Sequence, residues 1–100
     1  MDSSREIPEI PLQLAPSSPE ARAVVGFRFA DAPVGSRSKL GGKPDWQGAP
    51  LVPSCGCKKP MSFYGQLDSI GDAVCLADCG LIYVFVCFDC FETKAILQST

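Results

Sequence analysis

The chain of 100 residues contains no histidine. This absence removes the most common general base and the ring-nitrogen ligand of many metal sites. A Ser-His or Cys-His nucleophile cannot be assembled from the residues present, and a zinc site would have to use cysteine or carboxylate ligands. We therefore expect a protein that is not an enzyme.

Long apolar runs and an excess of positive charge are also missing. The longest apolar stretch, residues 80–88, is far shorter than the roughly 20 residues of a membrane-spanning helix, and the N-terminus lacks the pattern of a signal peptide. The net charge of -2 is unlike that of a general nucleic-acid binder. These features predict a cytoplasmic protein without a membrane partner, in which reduced cysteines point to metal binding.

Proline divides the chain into two parts. Residues 1–20 contain four prolines and four serines, which disfavour helix and central strand, so we expect an extended arm. Residues 21–100 form the predicted single domain. A domain of about 80 residues is marginal on its hydrophobic core alone, so a bound metal would help it to fold.

Hydrophobic patterns within this domain predict a small antiparallel sheet. Alternation of Val25, Phe27 and Phe29 indicates a half-buried strand over residues 21–32, and a loop rich in Gly and Pro follows over residues 33–53. Two further strands are predicted at 61–68 and 80–87, the second of them central because it is apolar on both faces. Residues 92–100 could be a closing strand or one helical turn, and a strand is favoured because the central strand needs a partner. In the strand at 61–68 we expect Phe63, Gly65 and Leu67 to share a face. The fold class is mainly β.

Six cysteines form three pairs, C-x-C at Cys55 and Cys57, C-x3-C at Cys75 and Cys79, and C-x2-C at Cys87 and Cys90. Tetrahedral zinc takes four soft ligands, commonly from two tight turns in separate parts of the chain. We predict a zinc-ribbon-like site in which structural zinc is held by the first and last pairs. Gly56 is expected to supply an unusual backbone angle, and Lys58 and Lys59 to offset the negative charge of four thiolates.

Other roles for the cysteines remain open. Cys75 or Cys79 could replace a ligand, or both could be small buried hydrophobes. The C-x2-C pair could also be a thioredoxin-like redox motif, although only ten residues follow Cys90.

Several other residues have a structural explanation that we prefer to a functional one. Gly41 and Gly42 predict a tight turn rather than an anion-binding loop. Trp46 is expected to cover the core rather than to anchor a partner, and Gln66 to be a buried hydrogen-bonding residue. The carboxylates of the loop after residue 67 are expected to solvate it or to cap its turns: Asp68, Asp72 and Asp78.

Two long segments resemble known families. "SRSKLGGKPDWQGAP" followed by "PSCGCKKPMSFYGQLD" resembles the programmed cell death protein 2 family, and "GDAVCLADCGLIYVFVCFDCFETKAILQS" is similar to the YwqG-like family of uncharacterised bacterial proteins. The resemblance implies metal ligands at Cys55, Cys57, Cys87 and Cys90. It also implies a chaperone-like binding role rather than a reaction.

Together these observations predict a non-catalytic, zinc-stabilised protein-binding module with adaptor or chaperone character. Its partner would be another protein, contacted through a sheet edge or the apolar N-terminal arm. One alternative is a thiol redox protein that uses the C-x2-C pair. The other is a nucleic-acid-binding zinc ribbon whose basic face gathers Arg37, Lys39, Lys43, Lys58 and Lys59.

Overall fold

The computed structural model describes residues 5–28, 30 and 33–99. Five antiparallel strands form one sheet in the order β1-β2-β3-β4-β5, which confirms the predicted mainly β class. Within the described ranges, no helix has the length and apolar character to span a bilayer. The elements are β1 (Ile10–Pro11), α1 (Pro19–Val24), β2 (Lys39–Leu40), β3 (Ser62–Asp68), β4 (Leu81–Val86) and β5 (Thr93–Gln98).

The strand predicted over residues 21–32 is wrong where the structure describes it. The chain is helical from Pro19, because Ser18 caps the helix by accepting a hydrogen bond from the Ala21 N–H at 3.0 Å and proline suits the first helical turn. After the helix, Gly26 makes only an isolated bridge to Gly71. Phe29 lies outside the described residues.

The N-terminal arm contributes an edge strand. Ile10 and Pro11 pair with Leu40 and Lys39, so the loop predicted over residues 33–53 contains a short strand. A turn at Gly41 and Gly42, with φ of 69° and 71°, follows this strand. A Cβ at Gly41 would lie 2.2 Å from a backbone oxygen of the arm, which explains glycine here and confirms the predicted tight turn.

A β-bulge interrupts the alternation of side chains in β3. The register with β4 shifts between Phe63 and Gly65, so the residues after the bulge change face. Phe63 pairs with Phe85 on the core face, whereas Gly65 and Leu67 pair with Val84 and Ile82 on the opposite face, where Leu67 is 51% exposed. The prediction that all three share one face is therefore wrong, because the bulge separates Phe63 from the other two.

The core lies on one face of the sheet, where a loop covers β4. Leu81, Tyr83 and Phe85 are fully buried. Trp46, from the loop between β2 and β3, packs with its ring centroid 4.8 Å from that of Tyr83 and 6.1 Å from that of Phe85. This confirms the predicted core position of Trp46. The interior placement of β4 and the final strand β5 are also as predicted.

A buried polar network ties the covering loop to β3. The Gln66 side chain donates to the Arg37 carbonyl at 2.7 Å and accepts from the Asp45 N–H at 3.1 Å, as predicted for a buried amide. Asp68 accepts from Arg37 Nε at 2.9 Å and Nη2 at 2.7 Å, and from the Gly35 N–H at 2.7 Å. Asp68 is therefore buried and paired, so of its two predicted roles the solvation of a loop is wrong. The bonds that it accepts from the backbone N–H groups of Gly35 and Ser69 agree with the other, the capping of turns.

We predict that Asp68→Asn lowers the free energy of unfolding by about 3 kcal/mol, because it leaves the Arg37 charge unpaired. Burial alone raises the pKa of Asp68, but the hydrogen bonds from Arg37 and Gly35 outweigh it, so the pKa is lowered from 3.8. The carboxylate therefore stabilises the fold above about pH 4, and this contribution disappears as the pH falls through the lowered pKa.

Urea unfolding of wild type and Asp68→Asn from pH 3 to pH 8 measures this difference. The gap between the two proteins is expected to stay constant above pH 5, where Asp68 is ionised in the folded and the unfolded state, and to narrow as the pH falls below about pH 4. A gap that stays constant down to pH 3 would show that the pKa of Asp68 is not lowered. Asp72→Asn, on an exposed residue of the same loop, is the matched control and should cost less than about 1 kcal/mol.

Candidate metal centre

Four cysteine side chains meet at one end of the sheet. The sulfur atoms of Cys55, Cys57, Cys87 and Cys90 all lie within 4.8 Å of one another. Sγ of Cys57 is 2.6 Å from that of Cys55 and 3.7 Å from that of Cys87. Both distances exceed the roughly 2.05 Å of a disulfide bond, and all the cysteines are free thiols. The structure thus brings together the four residues that the sequence analysis selected.

The first pair is held by a tight turn before β3. The Cys55 carbonyl accepts from the Lys58 N–H at 2.9 Å, and the Cys55 N–H donates to the Lys59 carbonyl at 3.1 Å. The left-handed residue of this turn is Lys58, with φ of 65°, and Gly56 has no positive φ. The prediction that Gly56 supplies the unusual backbone angle is therefore wrong, since the turn reverses after Cys57 rather than between the two cysteines.

The second pair occupies a similar turn between β4 and β5. The Cys87 carbonyl accepts from the Phe91 N–H at 2.7 Å, and the Cys87 N–H donates to the Glu92 carbonyl at 2.9 Å. Phe91 is left-handed, with φ of 60°, and it directly follows Cys90. The two turns therefore have the same pattern of backbone hydrogen bonds. The second turn is one residue longer, because two residues rather than one separate its cysteines.

Three polar contacts outside the sulfur atoms join the two turns. Glu92 Oε1 accepts from the Gly56 N–H at 2.8 Å, and Lys94 Nζ donates to the Ser54 carbonyl at 2.7 Å. Lys59 forms an ion pair with Asp89. These contacts hold the two turns face to face, so the sulfur atoms are brought together by the protein fold.

The sulfur atoms influence one another's protonation. A hydrogen bond between the two thiol groups lowers the pKa of Cys55 to about 6 and raises that of Cys57 to about 12, because the proton of one thiol stabilises the thiolate of the other. The cluster therefore favours a thiolate at Cys55. A divalent cation among the four sulfur atoms would favour deprotonation of each.

Lys59 has the charge-balancing position predicted for it. Its hydrogen bond to Asp89 raises its pKa, and the nearby sulfur atoms of Cys57 and Cys87 contribute further. The ammonium group therefore stays charged beside the cluster. With four thiol donors at short range and a cation next to them, the residues present fit a soft metal ion.

Cys75 and Cys79 lie at the opposite end of the strands, in the loop between β3 and β4. Among the described residues, neither belongs to a group that could hold a metal, and a strand of six residues spans roughly 20 Å. Replacement of a ligand by either cysteine is therefore incompatible with the fold. Both are partly exposed, so the description of them as buried hydrophobes is also wrong.

The predicted basic face is largely neutralised. Arg37 is paired with Asp68, Lys39 lies 2.9 Å from Glu9 and 3.4 Å from Asp45, and Lys59 is paired with Asp89. Three of its five members thus already have carboxylate partners within the chain. The remaining two members are Lys43 and Lys58.

Sequence reasoning missed three supporting roles, namely the left-handed turn positions of Lys58 and Phe91 and the contact that Glu92 makes with the first turn. The first two had one usable signal, their place directly after the second cysteine of each pair. The contact of Glu92 with Gly56 had no signal, because it exists only once the two turns face each other.

A scan of protein-family models, a search of curated proteins and a search of solved structures find no match to this chain. The resemblances drawn from the sequence therefore stay predictions. The geometry alone establishes that a four-cysteine group able to bind a metal ion stands at the end of β4.

We predict that Cys90→Ser abolishes stoichiometric metal binding, whereas Cys79→Ser retains it. Removal of one thiolate leaves three soft ligands, while Cys79 lies outside the cluster. Metal content by plasma mass spectrometry and melting followed by circular dichroism measure both effects. Equal metal content in the two variants would contradict the assignment of the four ligands.

A second prediction concerns the left-handed residue of the first turn. Lys58→Gly should raise the free energy of unfolding of the metal-bound protein by up to about 1 kcal/mol, because glycine adopts positive φ without steric cost. Gly56→Ala is the control and should be nearly neutral, since an added Cβ meets only Glu92 Oε1 at 3.4 Å. A large loss of stability in Gly56→Ala alone would show that Gly56, and not Lys58, is the residue whose backbone angle the turn requires.

Proposed function

We propose that the chain is a non-catalytic protein-binding module whose four thiolates hold a structural zinc ion. The observation that carries the binding role is an apolar outer sheet face that ends at an open strand edge. The metal centre supports the proposal because β5, the edge strand, begins directly after the second cysteine turn. A metal ion there would fix the start of the edge.

Zinc is the metal best suited to this donor set. Four cysteine thiolates are a common structural zinc site, and they leave no coordination position for water or substrate. The absence of histidine and the engagement of all four thiols argue for a structural ion and against catalysis. This choice also agrees with what the resemblance to the two families implies.

The outer face of the sheet is apolar across three strands. Leu67 pairs with Ile82, which pairs with Leu97, so the three form one row across β3, β4 and β5. Leu67 and Leu97 are each 51% exposed. A shallow groove beside this row is lined by apolar groups of Leu40, Tyr64, Gly65, Leu67 and Val84. Exposed apolar surface of this extent commonly marks a binding site.

The apolar row runs to a strand edge with free backbone groups. The Cys87 N–H donates to the Glu92 carbonyl, so the carbonyl of Glu92 points toward the preceding strand. Because successive residues of an antiparallel pair point their backbone groups alternately toward and away from the partner strand, those of Thr93, Ala95 and Leu97 point away from β4. Within residues 5–28, 30 and 33–99, no backbone hydrogen bond is made on that side. The edge can therefore accept another strand.

The partner we propose is an extended apolar segment of another protein. Added to β5, such a segment would make main-chain hydrogen bonds with the edge, and its alternate side chains would continue the row of Leu67, Ile82 and Leu97. Strand addition explains why the edge and the apolar face occur together. A nucleic-acid partner is less well supported, because most of the predicted basic residues already pair with carboxylates.

The zinc proposal is tested on protein purified without added metal. Native mass spectrometry should find one zinc ion per chain in wild type and none in the double variant Cys87→Ser, Cys90→Ser, which should also unfold because metal binding is coupled to folding. A chelator should unfold wild type in the same way. A metal-free wild type that is folded would refute the structural zinc.

The binding proposal is tested by selection from a phage-displayed library of random peptides on immobilised, metal-bound protein. Enriched peptides should alternate apolar and polar residues. Ala95→Pro should reduce their capture at least tenfold, because proline removes an outward-facing N–H without touching the bonds to β4. Ala95→Thr, which keeps the N–H and suits a strand, should retain capture.

Both Ala95 variants must keep stoichiometric metal to be comparable. Capture by wild type and Ala95→Pro alike would exclude strand addition at β5. Enrichment of acidic peptides, or of peptides that share no sequence pattern, would reject the edge as the binding surface if neither Ala95 variant changed their capture.

A further inference from the structure

The loop between β3 and β4 contains two thiols that the metal centre does not use. Cys75 and Cys79 lie at the end of the sheet opposite to the four-cysteine group, and both are partly exposed. A pair of accessible thiols in one short loop has its own chemistry. It is also the one cysteine motif of the sequence that the proposed function leaves unexplained.

The loop folds so that the two cysteines meet. The Cys79 N–H donates to Cys75 Sγ at 3.3 Å, and the Gly80 N–H closes the turn on the Leu76 carbonyl at 2.7 Å. The Cys75 thiol in turn donates to the Ala77 carbonyl at 3.4 Å. The sulfur of Cys75 thus contacts the backbone of Cys79, and an intramolecular disulfide further requires the two sulfur atoms to approach to about 2.05 Å.

The backbone of this loop is held in an uncommon conformation. Ala77 and Cys79 have φ of 54° and 59°, in the left-handed region that residues other than glycine rarely adopt. One contact helps to maintain it, since Arg37 Nη2 donates to the Cys79 carbonyl at 2.8 Å. The loop also passes close to β5, because a Cβ at Gly80 would lie 2.5 Å from the Gln98 carbonyl oxygen. Such conformations persist where surrounding contacts determine them, often at functional positions.

The two thiols are not equivalent. Burial raises the pKa of Cys79, and its hydrogen bond with Cys75 raises it further. Cys79 therefore stays protonated at neutral pH. Cys79 therefore acts in the second step rather than the first, because the thiolate is the reactive form.

We propose that Cys75 and Cys79 are a redox-active dithiol, which closes to an intramolecular disulfide by exchange with small disulfides of the glutathione class while the four-cysteine centre keeps its metal. In the first step the Cys75 thiolate attacks one sulfur of the small disulfide. A mixed disulfide forms on Cys75, and the other half leaves as a thiolate that takes up a proton.

In the second step Cys79 loses its proton to solvent and attacks the Cys75 sulfur. The bond between Cys75 and the small thiol breaks, the disulfide between Cys75 and Cys79 forms, and the second small thiolate is protonated. The protein loses two protons and two electrons, and the small disulfide is reduced to two thiols. The new bond would lock the loop beside Arg37.

The test uses the full, metal-bound chain incubated with oxidised glutathione at neutral pH, followed by native mass spectrometry and peptide mapping. Wild type should lose two hydrogen atoms per chain, keep its metal and yield a peptide cross-linked between Cys75 and Cys79. A reducing phosphine should reverse the change. Cys79→Ser should stop at a glutathione adduct on Cys75, and Cys75→Ser should form an adduct on Cys79 more slowly.

Three results would overturn the proposal. Wild type could accumulate a stable glutathione adduct without closing, the oxidation could fall on the metal-centre cysteines with loss of metal, or the chain could remain fully reduced. The wild-type experiment decides among these outcomes even if a serine variant fails to fold. Because metal retention is read in the same spectrum, failure of the dithiol is distinguishable from failure of the metal centre.

Discussion

The contact of four cysteine thiols at one end of the sheet is the interaction on which the rest of the structure depends. It joins the turn before β3 to the turn between β4 and β5, and so fixes the ends of three strands at once. The need for it follows from the size of the core. The described buried apolar residues number seven, all in one cluster, and Cys55 and Cys87 are two of them. A core this small gains much from a metal link.

A loop, rather than a second layer of regular structure, closes the core. Trp46 covers Tyr83 and Phe85, and the Tyr83 hydroxyl donates to the Asp45 carbonyl at 2.8 Å. The polar network of Gln66, Arg37 and Asp68 anchors the same loop to β3. Among the described residues, no buried side-chain nitrogen or oxygen lacks a hydrogen-bond partner. An irregular segment can thus serve as a layer, since its polar groups are satisfied inside the protein.

The sheet separates three chemical regions. One end carries the four-cysteine centre, the opposite end carries the second thiol pair, and the outer face and the β5 edge are apolar and open. Because the length of the strands separates them, the thiols that we propose to react at one end would not compete for a metal bound at the other. It also places the edge strand directly after the metal centre, so the metal would order the strand that we propose as the binding surface.

The strongest local patterns predicted most of the sheet. The apolar run of β4, the strands β3 and β5, the turn at Gly41 and the buried roles of Trp46 and Gln66 all follow from properties of their own segments. The short strands β1 and β2 did not, because a two-residue strand has no periodicity to read. The helix α1 was missed because the alternating Val25, Phe27 and Phe29 outweighed the capping signal of Ser18 and Pro19.

By itself the sequence determined the chemistry available to this protein: thiols in three pairs, no imidazole, and strands strong enough to form a sheet. The sequence favoured the meeting of the first and last pairs but left a replacement by Cys75 or Cys79 open, and the tertiary structure decided between them. Antiparallel pairing of β3 with β4 brings the start of one strand beside the end of the other, so the cysteines before β3 face those after β4. The same pairing carries Cys75 and Cys79 to the far end. Spacing along the chain cannot encode that separation, because it arises from the direction of the strands.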